Sequence, residues 1–63
     1  MIEAVSEGAM SVRQAMAFTG DSRGRLFQLM DAGVLEWFKA GRDRRITRKS
    51  LVEYLAALYV ANK

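Results

Sequence analysis

The chain has 63 residues, of which 51% are hydrophobic and 27% charged, and a formal charge of +3. That makes one domain near the lower size limit for a self-supporting core, and it excludes wholesale disorder. The absence of cysteine, histidine and proline removes disulfides, the usual zinc sites, and nucleophilic catalysis by Cys or a Ser-His pair.

Residues 1–9 are expected to be a partly ordered lead-in, with Ile2, Val5 and Ala9 as one apolar edge interrupted by Gly8. The domain proper then spans 10–63. Ser11-Val12-Arg13-Gln14 matches a capping box, in which the serine caps a helix start and the glutamine reaches back. The helix runs from Val12 to Phe18 or Thr19, with Val12, Ala15, Met16 and Phe18 available to a core.

Gly20 supplies the positive φ of a sharp corner, and Asp21 or Ser22 caps the next helix; Asp21 is the preferred cap. Leu26, Leu29 and Met30 recur at helical spacing and give that helix one apolar face. Arg23, Arg25 and Gln28 are left on the other side, with donors that phosphates and purine edges accept. Arg23 and Arg25 diverge by about 200° around the helix, so one can reach a base edge and the other a phosphate. Gly24 between them is either a local flaw costing up to ~1 kcal/mol or a point of close backbone approach to DNA. Gly33 ends the helix as a left-handed cap.

Val34–Lys39 and Arg45–Thr47 are rich in β-formers on either side of Ala40-Gly41-Arg42-Asp43. They predict a hairpin whose loop is longer than the two-residue kind. Its tip is basic. Of Trp37 and Phe38, alternation sends one to the core, and Arg45 points away from Arg44 into a structural position. Thr47 or Arg48 starts a last helix through about Ala61, with Leu51, Leu55 and Leu58 as its main stripe, flanked by Val52, Tyr54 and Tyr59. Arg48 and Lys49 read as a solvated face.

Charge is distributed unevenly. Glu3 and Glu7 put −2 in the first ten residues, so the remainder carries +5, and Arg42 to Lys49 holds five bases against Asp43. A basic cluster on a small domain is what a polyanion partner selects. No apolar run approaches the ~18–20 residues needed to cross a bilayer, and a signal peptide's basic start is missing, so no membrane partner and a cytoplasmic location are expected.

Helix, turn, helix, hairpin, helix is a winged helix-turn-helix: mainly α, with a small β-hairpin as the wing. In it the second helix is the recognition helix. The order and spacing resemble the excisionase-type, MerR-like winged helix-turn-helix DNA-binding domains of phages and mobile elements. The resemblance covers Met10 to about Leu35 and resumes from Gly41 to Leu55. It is carried by Ser11-Val12-Arg13-Gln14-Ala15, the turn glycine Gly20, Ser22-Arg23-Gly24-Arg25-Leu26-Phe27, Gly33-Val34-Leu35, the Gly41–Ile46 stretch and Leu51. Met16, Thr19 and Asp21 depart from the family's usual small or aliphatic residues.

The resemblance implies a sequence-specific duplex DNA binder that acts architecturally. Several copies bind adjacent sites, bend the DNA and help or bias an integrase as a recombination directionality factor. Ser22, Arg23, Arg25, Phe27 and Gln28 would form the recognition surface, and Lys39, Arg42 and Arg44 the wing, with Arg13 on the backbone. A phage transcriptional regulator, a packaging protein or a protein-interaction module on the same face remain alternatives. No catalysis, metal, cofactor or small-molecule substrate is implied. The chain has no heptad stretch, so a monomer or weak dimer that assembles on DNA is expected, with Tyr59 and Val60 as contacts.

Overall fold

The computed structural model describes residues 8–62; Ile2 and Val5 of the expected lead-in lie outside them. Three helices pack with a three-stranded antiparallel sheet. In chain order the elements are β1 (Ala9–Ser11), α1 (Val12–Thr19), α2 (Arg23–Asp31), β2 (Trp37–Ala40), β3 (Asp43–Thr47) and α3 (Arg48–Ala61).

Local signals set most of the boundaries. Ser11 Oγ accepts from the Gln14 amide at 3.1 Å and Gln14 Oε1 accepts from the Ser11 amide at 3.0 Å, which completes the capping box. Gly20, at φ 80°, closes α1 by donating to the Met16 carbonyl. At the end of α2 the Val34 amide donates to Leu29 and the Gly33 amide to Met30. That pair of bonds is a Schellman motif, and Gly33 at φ 80° takes its left-handed position. Thr47 caps α3 through the Ser50 amide.

The cap of α2 is a correction. Ser22, not Asp21, accepts from the Arg25 amide, at 3.2 Å. Asp21 instead turns inward and takes a hydrogen bond from the Tyr54 hydroxyl at 3.1 Å. Thr19 holds the corner, donating to the Ala15 carbonyl and accepting from the Asp21 amide. A hydroxyl that bonds in both directions explains why a polar residue is tolerated at this partly buried place.

The sheet order is β1-β3-β2, and β1 is the second correction. Ala9 belongs to a strand rather than to a lead-in: Ala9 pairs with Thr47, Met10 with Ile46 and Ser11 with Arg45. The Arg48 amide extends this edge by donating to the Gly8 carbonyl. β2 and β3 pair from Trp37–Ile46 to Ala40–Asp43, so the connection is the two-residue turn Gly41-Arg42, shorter than the sequence predicts. Gly41 at φ 67° with no positive φ at Arg42 has the signs of a type II′ turn, which matches the twist of the paired strands.

The core sits where the helices meet the sheet. Val12 and Ala15 of α1, Leu26, Leu29 and Met30 of α2, Leu35, Ile46, and Leu51 and Tyr54 of α3 are buried together. Two further expectations shift. Phe18 is 41% exposed, because the buried face of α1 runs through Val12 and Ala15 and leaves Phe18 at its edge. On α3 the burial stops early: Leu51 is fully buried, Leu55 partly, and Leu58 is 40% exposed.

Candidate nucleic-acid interface

The register of the hairpin decides what its basic residues can do. Directly opposed strand residues share a face of the sheet and alternate along each strand. Lys39 opposes Arg44 and Trp37 opposes Ile46, so Arg44 lies on the same face as Trp37 and the fully buried Ile46. Its guanidinium carbon sits 4.2 Å from the Trp37 ring centre and 4.7 Å from that of Phe27 on α2. Nη1 is 3.9 Å from Asp31 Oδ1, one helical turn beyond Phe27. Cation–π contacts at these distances contribute about 0.5–2 kcal/mol each. The Arg44 side chain is thereby held between α2 and the hairpin.

This exchanges the positions expected for the two neighbouring arginines. Arg44 is the packed one, while Arg45 lies half-buried on the opposite face, across from Phe38 and Ser11. The Trp37–Phe38 pair is corrected in the same way. Neither ring is core: Trp37 is 36% exposed beneath Arg44, and Phe38 is half-buried. Sequence reasoning also passed over Asp31 as a partner, although its i,i+4 spacing from Phe27 puts both on one side of α2.

Arg23, the first residue of α2, lies over the other partner of this arrangement, 5.0 Å from the Phe27 ring centre. Arg23, Phe27, Arg44 and Trp37 thus form a continuous run of cation–ring contacts from α2 to β2. Beside it is a cleft of about 490 Å³. Its walls come from the start of α1 (Ser11, Val12, Arg13), from Arg23 and Phe27 of α2, and from Arg42, Asp43 and Arg44 of the hairpin. Four arginines from three regions therefore line the cleft with one acid, Asp43, while Asp31 lies off the lining. Both helices begin at this cleft, and neither carries an acidic residue in its first turn. The partial positive charge of two helix N-termini adds to that of the side chains.

The expected site residues divide into two groups. Arg13, Arg23, Phe27, Arg42 and Arg44 are brought together around the cleft. Ser22, Arg25, Gln28 and Lys39 are exposed outside its lining. Ser22 is occupied as the α2 cap. Arg25 and Gln28 are three apart on the solvent side of α2, away from buried Leu26, Leu29 and Met30. Among the described residues no group of three or more Asp or Glu side chains is placed to hold a metal ion, and no helix is long and apolar enough to cross a membrane.

Comparison with protein families, curated proteins and solved structures finds no match to this chain.

Proposed function

We propose that this protein binds double-stranded DNA as a winged helix-turn-helix, with α2 as the recognition helix and the β2–β3 hairpin as the wing. The observation that carries the reading is the cleft between them, whose lining holds Arg13, Arg23, Arg42 and Arg44 with Asp43 as its one acid. Such a concentration of positive charge around one concavity suits a sugar-phosphate backbone. With the backbone seated there, α2 presents Arg25 and Gln28 to base edges in the major groove. The turn residue Arg42 and exposed Lys39 then lie toward the adjacent minor groove.

The excisionase-type resemblance refines this to an architectural role: copies on adjacent sites bend the DNA and bias an integrase, without catalysis by this chain. Transcriptional regulation through the same surface is the alternative within DNA binding. The test is fluorescence anisotropy with a random duplex over a range of salt. Neutralising three or four phosphates makes log affinity fall by about 3–4 per decade of salt. Binding that is absent, or indifferent to salt, would overturn the proposal.

A further inference from the structure

We infer that Arg23 and Arg44 together hold one phosphate, and that Phe27 is the spacer that sets the distance between them. This rests on the DNA-binding reading and names the group that the cleft accepts between these two side chains. The two guanidinium carbons lie 5.0 and 4.7 Å from the same ring centre, so they are at most about 10 Å apart. Two like charges at that separation repel, and both side chains line the same cleft. A phosphate entering the cleft beside the ring, with oxygens accepting a charge-assisted bond of about 2.8 Å from each guanidinium, would offset that repulsion.

The state of Arg44 points the same way. Its Nη1 is buried with no hydrogen-bond partner among the described residues, and the carboxylate of Asp31 at 3.9 Å is too far to accept. An orphaned buried donor is costly, so the stacking on Phe27 and Trp37 is what holds the group in place. The side chain keeps 28% of its surface exposed. Arg44 lines the cleft, so its guanidinium is placed to donate to an oxygen arriving there. Asp31, 73% exposed, competes with that oxygen for the same cation.

One phosphate shared by two arginines has a signature that independent contacts lack. Removing either arginine loses the bridge, so the second removal adds little. Affinity for a 16-base-pair duplex would be measured for the parent, Arg23→Met, Arg44→Met and the double variant; methionine keeps bulk while removing the charge. Each single change is expected to weaken binding about tenfold, the worth of one charge-assisted bond, and the double about as much as the larger single. Phe27→Leu, which leaves both arginines, is expected to match them, and Asp31→Asn to tighten binding two- to threefold.

In parallel, arginine Nε–Hε resonances of the labelled protein would be followed during titration with inorganic phosphate at constant ionic strength. Arg23 and Arg44 should shift together and saturate, as they should with the duplex. Phosphate shifts without duplex binding would retain the phosphate site and refute the DNA reading. Duplex binding with additive losses at Arg23 and Arg44, or shifts at one without the other, would refute the shared site alone. The Arg44→Met resonances report folding directly, so a collapsed variant is recognised and Arg23→Met and Asp31→Asn still decide.

Discussion

The Tyr54 hydroxyl reaches across 33 residues of chain to donate to Asp21 Oδ2 at 3.1 Å, tying the middle of α3 to the turn between α1 and α2. The bond anchors the turn residue immediately before the Ser22 cap of α2, close to Arg23 and Arg25. Tyr54 is nearly buried at 9% exposure, so its hydroxyl would otherwise be desolvated with little return. Tyr54→Phe is expected to lower stability by about 1–2 kcal/mol in thermal unfolding, with helix content unchanged. Asp21→Ala should cost a similar amount, and the double variant no more than the larger single. Additive losses would show that the two groups act separately.

Gly24 offers a cleaner separation of fold from function. It lies in the first turn of α2 with nothing within 4 Å of the position a Cβ would take, and its φ is not positive. Alanine there should stabilise the helix by about 0.5–1 kcal/mol. If duplex affinity is unchanged or improved, Gly24 is a tolerated weakness. A loss of affinity in the more stable variant would show that DNA approaches this backbone closely.

The helices and their ends were legible because their signals are local. Ser11 with Gln14, Gly20, Gly33 and Thr47 each act within five residues of their own position, so reading the chain in short windows finds them. β1 was not legible: Ala9-Met10-Ser11 has little strand preference, and it becomes a strand because β3 offers it a free edge. The packed position of Arg44 was hidden for a related reason. Alternation says that Arg44 and Arg45 face opposite ways, but only the register says which way is inward. The two-residue turn at Gly41-Arg42 sets that register by placing Trp37 across from Ile46. A longer loop, as the sequence predicts, leaves it open. The recruitment of Asp21 by Tyr54 likewise depends on a residue far along the chain.

Arg25 and Gln28, outside the cleft, are expected to read sequence, and Arg42, on its lining, to hold the backbone. Arg25→Ala and Gln28→Ala should each cost about 1–3 kcal/mol on a selected site and less on random duplex, relaxing the preference at one or two base pairs. Arg42→Ala should weaken binding on every sequence alike and reduce the salt slope by about 1. Selection of binding sites from a random pool, followed by anisotropy at several salt concentrations, distinguishes the two behaviours. If Arg42→Ala altered sequence preference while Arg25→Ala did not, the assignment of α2 to base reading would be wrong.

The end of α3 bears on how many copies act together. Val52, Leu58, Tyr59 and Val60 are 47%, 40%, 68% and 72% exposed, although the same helix buries Leu51 fully. A few partly exposed side chains fall short of the ~800 Å² per partner that a stable interface buries. The free protein is therefore expected to sediment as a monomer at micromolar concentration. On the proposed DNA-binding reading, one recognition helix and a wing would cover few base pairs, so genomic specificity would require adjacent copies, and a contact too weak for free solution would become effective once DNA held both. Val52 and Val60, two turns apart on one side of α3, are the test positions. Replacing both with serine should change unfolding by less than about 0.5 kcal/mol each, as surface substitutions do. The same variant should bind a one-site duplex normally and lose its advantage on a tandem-site duplex. A tight dimer without DNA, or tandem binding unaffected by the double replacement, would remove α3 as the contact between copies.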